Sequence, residues 1–493
     1  MSAQRLVIRN GFVVSMDPEV GDIPNADVFV EDGKIVEIGR GLSISDAEEV
    51  DAAGMIVMPG FVDTHRHTWQ TPVRGVLPSC TLDHYFAVML GQVGGFYRPE
   101  DVHIGDYAGA LEALNGGVTT LLDWSHISNT PDHSDAAIQG LKDAGIRAVY
   151  AHGMPTGGEW WMMSELNHPE DIRRIRETYF SSDDGLLTLA MAARQPGNVN
   201  ADVAKHDWAL ARELDILISV HVGMRLHQLH YEPVKDMHDL GLMGEDVCYI
   251  HMTDLTDHEM DLIAETGGKA SVAPYVEMLM GHGPPPMGKL LERGVRPSLS
   301  VDVVSSVPGE MFTQMRTALV YSRILEFTDT PDEAFAPRLS HRDVLEFSTI
   351  DGARVCGLGD RVGSLTPGKQ ADIVLLQANA INTAPMLDPI GTIVVFSDTS
   401  NVDSVFVAGR AVKRDGKLVD GNLDRVYAKL DESRNHILSQ GGLLPDWAAE
   451  AVAAGLERRR PTWAQGPSSS SAARRGSGGS SRRRTRTRVA TSS

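Results

Sequence analysis

Two histidines two positions apart are the strongest candidates for chemistry in this sequence. They end the segment 59–67, which reads PGFVDTHRH, and the apolar residues before them predict a strand. Residues two apart on a strand point to the same side, so His65 and His67 project together. Histidine is the commonest metal ligand, and 16 of the 18 histidines lie between His65 and His282. This pattern predicts a metal site more strongly than a polar loop that happens to hold two histidines.

A mononuclear site of the zinc type needs three or four protein ligands and one position left open for water. Three more polar residues each close an apolar run: His221 after 216–220, His251 after 247–250 and Asp302 after 297–301. Each residue alone could be a capping residue or a core residue with satisfied hydrogen bonds. Together they mark several strand ends, which is where barrel enzymes hold their catalytic groups.

Eight apolar runs predict the strands that carry these residues. They alternate with segments of helical spacing, such as 101–114, 200–214 and 257–264. This alternation favours a parallel (β/α)8 barrel of the α/β class over a doubly wound sheet. The predicted strands are residues 58–63, 119–124, 147–151, 186–192, 216–220, 247–250, 269–272 and 296–301.

Short strands with tight Asn-Gly and Asp-Gly turns flank the barrel on both sides. Neither group can close a core alone, so we expect residues 1–58 and 363–422 to form one composite β-sandwich domain. The barrel then covers 59–362, and 423–463 form a C-terminal helical extension. Residues 464–493 are rich in Ser and Gly, with seven arginines and no acidic residue, so we expect a disordered, solvated tail rather than a nucleic-acid contact.

The composition excludes several classes of protein. Three widely spaced cysteines form no disulfide framework or CxxC motif, which favours a reducing, cytoplasmic setting. The net charge is −21, and −28 without the seven arginines of the tail, which argues against a nucleic-acid partner. Without a run of eighteen apolar residues, no membrane segment is expected. No HExxH motif and no HxE with a following PCxxC motif occurs, which excludes two other zinc hydrolase arrangements.

The motifs, taken together and in order, resemble the amidohydrolase superfamily, and most closely its branch of metal-dependent aromatic deaminases and triazine chlorohydrolases. The resemblance covers about residues 4–420 and rests on 60–67, His221, His251, the Ser-Val-Asp that ends at Asp302, and the closing segment 363–374, GSLTPGKQADIV. It implies a (β/α)8 barrel with a composite β-sandwich. It also implies one divalent metal ion per subunit, zinc with iron as the alternative, held by His65, His67, His221 and Asp302. Barrels of this branch often resemble dimers or larger assemblies, so a homo-oligomer is expected.

The resemblance further implies catalytic roles. A bound divalent cation lowers the pKa of its water from about 15.7 to about 7. Asp302 would take a proton from that water and deliver it to the leaving group. His251 resembles the family's histidine that is not a ligand, which orients the attacking hydroxide and stabilises the charge that develops.

One position departs from the family pattern. Deaminases and chlorohydrolases of this branch usually place a glutamate three residues after the histidine of the fifth strand, and Met224 stands there instead. Methionine cannot protonate a ring nitrogen, so either another acid substitutes or the substrate needs none. Glu277 is the candidate substitute, in a loop expected after the seventh strand, and a solvated loop carboxylate is the alternative.

The expected function is that of a metal-dependent hydrolase that displaces an amino group from a nitrogen heterocycle or an amidine-like carbon. Its partner would be a small-molecule substrate. Two alternatives stay open: hydrolysis of a triazine substituent or a cyclic amide, and a catalytically silent barrel that binds a small ligand. The candidates for substrate contact at the expected barrel mouth are Trp69, Gln70, Trp124, His126, His152 and Arg194.

Overall fold

A computed structural model of the chain describes residues 5–161, 163–224, 232–329, 337–419, 421–446 and 449. In this part of the chain the strands are β1 (Arg5–Val14), β2 (Asp22–Glu31), β3 (Lys34–Gly39), β4 (Glu48–Asp51), β5 (Met55–Pro59), β6 (Phe61–Arg66), β7 (Val118–Ser125), β8 (Arg147–His152), β9 (Leu187–Ala193), β10 (Leu217–Val222), β11 (Val247–His251), β12 (Lys269–Val272), β13 (Ser298–Leu299), β14 (Ile373–Gln377), β15 (Val402–Val407), β16 (Arg410–Arg414) and β17 (Lys417–Leu418).

The helices of the same residues are α1 (Leu82–Tyr85), α2 (Pro99–Asn115), α3 (Pro131–Ala144), α4 (Asp171–Tyr179), α5 (Ala201–Glu213), α6 (Pro233–Asp239), α7 (Asp257–Glu265), α8 (Pro274–Met280), α9 (Met287–Glu292), α10 (Met311–Asp329), α11 (His341–Phe347), α12 (Ile350–Val355), α13 (Pro389–Gly391) and α14 (Leu423–Gln440). None of the described helices is both long and apolar enough to cross a membrane.

The eight parallel strands β6 to β13 lie side by side in chain order and form the wall of a barrel. Each is followed by at least one helix. Two hydrogen bonds close the ring, because the N–H of His67 donates to the carbonyl of Asp302 (2.8 Å) and the N–H of Asp302 donates to that of His65 (2.9 Å). The predicted (β/α)8 barrel is therefore confirmed, and the three helices expected at 101–114, 200–214 and 257–264 are α2, α5 and α7.

The local sequence explains why these elements form. Strands such as β7 and β8 are buried along their whole length, as expected when helices cover the outside of a parallel sheet. Helix α7 begins at a capping box in which Thr256 and Glu259 each bond the other's backbone N–H. Helix α3 ends where Gly145 takes a left-handed conformation.

The predicted strand at 58–63 is two strands rather than one. Strand β5 pairs with β14 outside the barrel, whereas β6 is the first strand of the barrel. Gly60 lies between them, and a Cβ atom at this position would stand 2.1 Å from the hydroxyl oxygen of Thr119. Only glycine allows the chain to pass here, so the Pro-Gly pair before the two histidines has an architectural function.

The two flanks of the chain meet in one mixed sheet of nine described strands. Its order is β17-β16-β15-β14-β5-β1-β2-β3, with β4 paired to β1. The antiparallel pair β5 and β14, in register at Met58 and Val374, joins the N-terminal flank to the C-terminal one. The sheet covers its own apolar core, which includes Ile8, Val28 and Ile373. The predicted composite β domain is confirmed.

A buried ion pair fixes the barrel to this sheet. The guanidinium of Arg147, at the start of β8, donates to both carboxylate oxygens of Asp372 at 2.8 and 3.0 Å. Asp372 also accepts a hydrogen bond from the N–H of Ala408. The sequence segment 363–374 thus contributes a contact between the barrel and the mixed sheet. Removing either Arg147 or Asp372 would leave the other charge buried without a partner.

The proposed division into four segments stays a prediction. Residues Met1–Pro445 form one unit by their internal contacts. Helix α14 begins where the C-terminal extension was expected, at residue 423. The tail at 464–493, predicted to be disordered, lies outside the described residues.

Two carboxyl groups are buried between helix α2 and strand β7. Neither oxygen of Asp106 has a hydrogen-bond partner among the described residues, whereas Asp123 accepts a bond from the N–H of Thr68. Burial and the charge of Asp123 raise the pKa of Asp106 well above its usual value. Burial raises the pKa of Asp123 to about 7. Because the folded state favours the protonated forms, stability falls as the pH rises from about 4 through 7.

We therefore expect Asp106→Asn to stabilise the protein at alkaline pH and to have little effect at acid pH. The thermal unfolding midpoint of the variant should exceed that of the wild type by roughly 2–6 °C at pH 8. At pH 5 the two midpoints should nearly coincide. Asp132→Asn, at an exposed position on α3, is the matched control. An equal shift at both pH values would contradict the buried-carboxyl account.

Candidate metal centre and active site

Four of the residues predicted from strand ends converge at the mouth of the barrel. The Nε2 atom of His65 lies 3.1 Å from Oδ1 of Asp302 and 3.1 Å from Nε2 of His221. The Nε2 atom of His67 lies 3.3 Å from the same Asp302 oxygen. Ligand atoms held about 2.0–2.2 Å from a tetrahedral ion are separated by roughly 3.3 Å, so these distances fit a single cation.

The strands place these side chains by their register and by their ends. His65 lies on β6, and His67 follows the strand by one residue. His221 lies on β10, beside β11, where Val222 pairs with His251. His251 and Asp302 both have left-handed backbones, with φ of 74° and 68°. Each such conformation costs a non-glycine residue on the order of 1–3 kcal/mol and is characteristic of functional sites.

The protonation states of the four residues suit a metal. Burial lowers the pKa values of His65, His67 and His221, so these rings are neutral. The Nδ1–H of His67 donates to the carbonyl of Trp124 (2.8 Å), which leaves its Nε2 lone pair facing the cluster. Burial opposes ionisation of Asp302, but the hydrogen bond to His65 favours it, and the pKa of this carboxyl is lowered overall. Neutral imidazoles and a carboxylate are the forms that bind a cation.

The same four atoms lack other partners that would explain their arrangement. His65, His67 and Asp302 form one buried group with ligand atoms within 4.8 Å of one another, and half-buried His221 lies 3.1 Å from His65. Neutral rings cannot supply enough protons to bridge all of these contacts. Nitrogen and oxygen donors at this spacing are the usual ligands of zinc. The donor set therefore fits a divalent cation, and His65, His67, His221 and Asp302 are its candidate ligands.

His251 lies on the opposite side of the Asp302 carboxylate. Its Nε2 atom is 3.8 Å from Oδ2 of Asp302, and its Nδ1 atom is 3.1 Å from Oε1 of Glu277. Asp302 thus presents one oxygen to the candidate ligands and the other to His251. His251 therefore lies beside the candidate ligands, and its ligand atom is also within 4.8 Å of those of His65 and His221.

The structure corrects the expected setting of Glu277. The segment after β12 is a short helix, α8, rather than a loop, because Pro274 occupies the first turn, where its missing N–H is not needed. Glu277 is buried on this helix, so the alternative of a solvated carboxylate is wrong. Its Oε1 atom also accepts a bond from the N–H of Ala273 (2.7 Å). Burial raises the pKa of Glu277, although the bond to His251 opposes this shift.

A cleft of about 380 Å³, including space open to solvent, lies above the candidate ligands. His67, His221, His251 and Asp302 form its floor, and Met224 lines its wall. Glu277 is not among the residues described in this lining and contacts the site through His251. The other lining residues are Leu82, Tyr85, Phe86, His126, Trp161, Met280, His282 and Val303.

A second, larger cavity adjoins the cleft. It encloses about 1300 Å³, including space open to solvent, and shares Phe86, Trp161, His221 and Met224 with the cleft. Its described walls are mostly apolar or backbone. The residues that line this cavity alone are Asp83, Ala87, Leu90, Gly91, Gly157, Gly158, Ala193, Arg194, Gln195 and Asn198.

The residues expected to contact substrate fall into different positions. His126 lines the cleft, with its ring 4.1 Å from that of His67. Trp69 lies behind it and donates to Nδ1 of His126 (3.3 Å). Trp124 packs beside the ring of His221 at 4.3 Å and is fully buried. Gln70 donates to the hydroxyl of Tyr85 at 2.6 Å. Trp69, Trp124 and Gln70 thus support the lining rather than belong to it.

His152 and Arg194 are engaged elsewhere. His152 lies 2.9 Å from His168, ring nitrogen to ring nitrogen, and it lines neither cavity among the described residues. Arg194 lines the larger cavity, but its guanidinium pairs with Asp207 at 3.0 Å and donates to the carbonyl of Leu166. Its charge is therefore compensated within the protein.

Sequence reasoning missed several residues of the cleft. Tyr85 and Phe86 belong to the segment that folds over the mouth after β6, and no motif marks it. His282 is buried, and burial lowers the pKa of its ring to about 3, so the ring is neutral. The one signal for His282 was its place in the histidine-rich part of the sequence.

Comparison with known proteins agrees with this site. Residues 56–412 match the model of the Amidohydrolase family. A 5'-deoxyadenosine deaminase from Methanothermobacter thermautotrophicus is 29% identical over 422 residues, which cover 83% of this chain and 95% of that protein. A 5-methylthioadenosine/S-adenosylhomocysteine deaminase from Symbiobacterium thermophilum is 28% identical over 451 residues, covering 89% of this chain and 100% of the relative.

A solved structure shares the fold as well. The crystal structure of an adenosine deaminase from Xanthomonas campestris with bound zinc has a TM-score of 0.77 and 25% sequence identity, covering 88% of this chain and 98% of its own. The family match spans most of the chain, and a buried cluster of histidine and aspartate stands at the mouth of its barrel. The chain therefore belongs to the amidohydrolase family and is a hydrolase that acts on carbon–nitrogen bonds.

Proposed function

We propose that this protein is a metal-dependent deaminase that removes the amino group of an adenine-type nucleoside as ammonia. The observation that carries the proposal is the cluster of His65, His67, His221 and Asp302 beneath a cleft, in which His65 lies 3.1 Å from both His221 and Asp302, and His67 lies 3.3 Å from Asp302. The matched relatives named above are deaminases of 5'-deoxyadenosine and of 5-methylthioadenosine or S-adenosylhomocysteine, which supports this substrate class.

We propose that the four residues hold one divalent ion and that the ion is zinc. The adenosine deaminase from Xanthomonas campestris was crystallised with zinc, and the nitrogen and oxygen donors here suit the same metal. When bound, a divalent cation makes water an effective nucleophile near neutral pH. The remaining steps depend on what the side chains of this chain do.

Asp302 acts as the proton carrier in this proposal. Its carboxylate is ionised, and its Oδ2 atom faces away from His65 and His67 toward the cleft side and His251. It takes a proton from the attacking water and passes it to the departing amine. Two protons of the attacking water change place: Asp302 carries the one that leaves with the amine, and the proton of the added hydroxyl ends on the ring nitrogen, so that a ring carbonyl and ammonia are formed.

His251 stabilises the charge that develops during addition, and Glu277 holds His251 in place. The bond between Nδ1 of His251 and Oε1 of Glu277 fixes the ring with its Nε2 toward Asp302. Glu277 is itself fixed by the N–H of Ala273. In this proposal, Glu277 is a positioning residue rather than a proton donor to the substrate.

The larger cavity would accept the substituent of the base. It opens from the cleft beside His221 and Met224, so a heterocycle in the cleft could extend into it. Because the walls are mainly apolar and Arg194 is already paired with Asp207, we expect an uncharged substituent rather than a phosphate.

A second candidate function rests on Met224. This side chain lines both cavities at the position where the family resemblance led us to expect a glutamate. A methionine there favours displacement reactions that need no protonation of the ring, such as hydrolysis of a triazine substituent or of a cyclic amide. The two functions differ in the product that is released.

A substrate panel separates these functions. Zinc-loaded protein should be tested with adenine-type nucleosides, free purines, pterins, pyrimidines, triazines and cyclic amides, with ammonia and chloride release measured separately. We expect ammonia from the nucleosides, with a higher kcat/KM for a 5'-deoxy nucleoside than for the corresponding nucleotide. Activity toward amides alone, or chloride release without ammonia from any aminated ring, would contradict the proposed deaminase.

Loss of one candidate ligand should lower the metal content. We expect wild-type protein to hold about one equivalent of zinc and His221→Ala to bind it at least about 100-fold more weakly, since even residues behind the ligands cost 10–100-fold. Elemental analysis after dialysis against a chelator series measures both. His238→Ala, at an exposed position, is the matched control and should keep its zinc. Equal zinc retention by both variants would refute the assignment.

Glu277 and Asp302 should differ in how severely their substitution impairs catalysis. Asp302→Asn removes the proton carrier, so turnover should vanish. Glu277→Gln weakens the hold on His251, and kcat should fall by about 10–100-fold with the zinc content unchanged. Glu265→Gln, exposed on α7, serves as the control. If Glu277→Gln retained full turnover, neither a positioning role nor a proton-donor role for Glu277 could stand.

A further inference from the structure

His282 has hydrogen-bonding capacity that the protein does not use. The side chain is buried and lines the cleft. Neither Nδ1 nor Nε2 has a hydrogen-bond partner among the described residues. Buried polar atoms are nearly always paired, so two unpaired nitrogens on one ring at a cleft indicate that a ligand completes them.

The backbone around His282 is held from both sides. Its N–H donates to the carbonyl of Glu277 at 2.8 Å, and its own carbonyl accepts a bond from the hydroxyl of Thr253 at 2.8 Å. Gly281 ends helix α8 with φ of 75°, and Gly283 follows with φ of 135° close to Thr253. Both glycines adopt conformations that other residues rarely take. The imidazole is therefore anchored rather than free to withdraw from the cleft.

His282 differs from the nearby Tyr85 and His126 in that neither of its polar atoms has a hydrogen-bond partner among the described residues. Its ring meets that of His251 edge-on, with centroids 4.8 Å apart. On the cleft lining, the hydroxyl of Tyr85 already accepts a bond from Gln70, and Nδ1 of His126 accepts one from Trp69. Met224 and Met280 offer no donor.

We infer that His282 binds the heterocycle of the substrate through hydrogen bonds and so orients it above the metal. A neutral imidazole supplies one donor and one acceptor, which match the alternating nitrogens and polar substituents of a purine-type ring. His282 would thereby supply the contact to the ring that Met224 cannot. This inference rests on the proposed function in one respect, namely that the ligand is a nitrogen heterocycle.

A role as a metal ligand is the competing interpretation. The potential ligand atoms of His282, His251 and Asp302 lie within 4.8 Å of one another. In that group Nε2 of His251 lies 3.8 Å from Oδ2 of Asp302, whereas Asp302 Oδ1 lies 3.1 and 3.3 Å from His65 and His67, and Nδ1 of His251 bonds Glu277. These distances favour the substrate-binding role, and the metal content of a variant distinguishes the two.

The test compares wild-type zinc protein with His282→Ala, His282→Gln and the exposed control His258→Ala. Calorimetry measures the affinity for a 6-oxopurine nucleoside, which is the deaminated product and is not turned over. The same titrations are made with its 1-, 3- and 7-deaza analogues, and elemental analysis gives the zinc content of each protein. Circular dichroism and the unfolding midpoint verify that each variant is folded.

We expect His282→Ala to bind the product about 10–100-fold more weakly, with its zinc content unchanged. Leaving a buried polar group of the ligand without its hydrogen-bond partner typically costs about this factor in affinity. Wild-type protein should bind one of the deaza analogues more weakly than it binds the product. His282→Ala should bind that analogue and the product with nearly equal affinity, because the hydrogen bond from His282 is already missing. His282→Gln, which retains a donor and an acceptor, should recover part of the loss.

Four results would overturn the inference. The first two are an unchanged affinity for the product in folded His282→Ala and a loss of zinc from that variant. The third is that His282→Ala loses affinity for the product and for every analogue by the same factor, as a general structural effect would produce. The fourth is that the wild type binds no purine nucleoside. The proposed function has a separate readout. If the wild type binds the nucleosides but releases no ammonia from aminated ones, deamination fails while the contact from His282 can still be measured.

Discussion

The Asp302 carboxylate is the group on which the rest of the site depends. Its Oδ1 atom faces His65 and His67 at 3.1 and 3.3 Å, and its Oδ2 atom faces His251 at 3.8 Å. Its backbone closes the barrel by bonding to the residues of the first barrel strand. One residue therefore completes the wall of the fold and divides the site into a side that faces His65 and His67 and a side that faces His251. A buried carboxylate in this position is stable only with compensating charge around it.

The architecture outside the mouth serves to hold this arrangement. Gly60 lets the chain leave the mixed sheet and enter the barrel just before the two histidines. The buried pair of Arg147 and Asp372 fixes the barrel to the composite sheet. His251 and Asp302, both at the mouth, have left-handed backbones, a strained conformation for residues other than glycine. Such strain persists because the surrounding strands and hydrogen bonds determine these positions.

Much of this could be predicted from the sequence because the signals were local. The spacing of His65 and His67 and the apolar runs before His221, His251 and Asp302 placed all five residues at strand ends, and the structure brings them together. Other features depended on tertiary contacts. The segment after the seventh barrel strand was expected to be a loop, but Pro274 begins a helix there that buries Glu277. The covering of the cleft by Tyr85 and Phe86, and the free nitrogens of His282, depend on the path of the chain in space.

We propose that His65, His67, His221 and Asp302 together hold one metal ion. Anomalous X-ray scattering at the zinc edge, measured from crystals of the purified protein, locates such an ion. We expect a single strong peak within about 2.0–2.3 Å of three histidine nitrogens and one oxygen of Asp302. A peak located instead among His251, His282 and Asp302, or no peak from protein that releases ammonia, would contradict it.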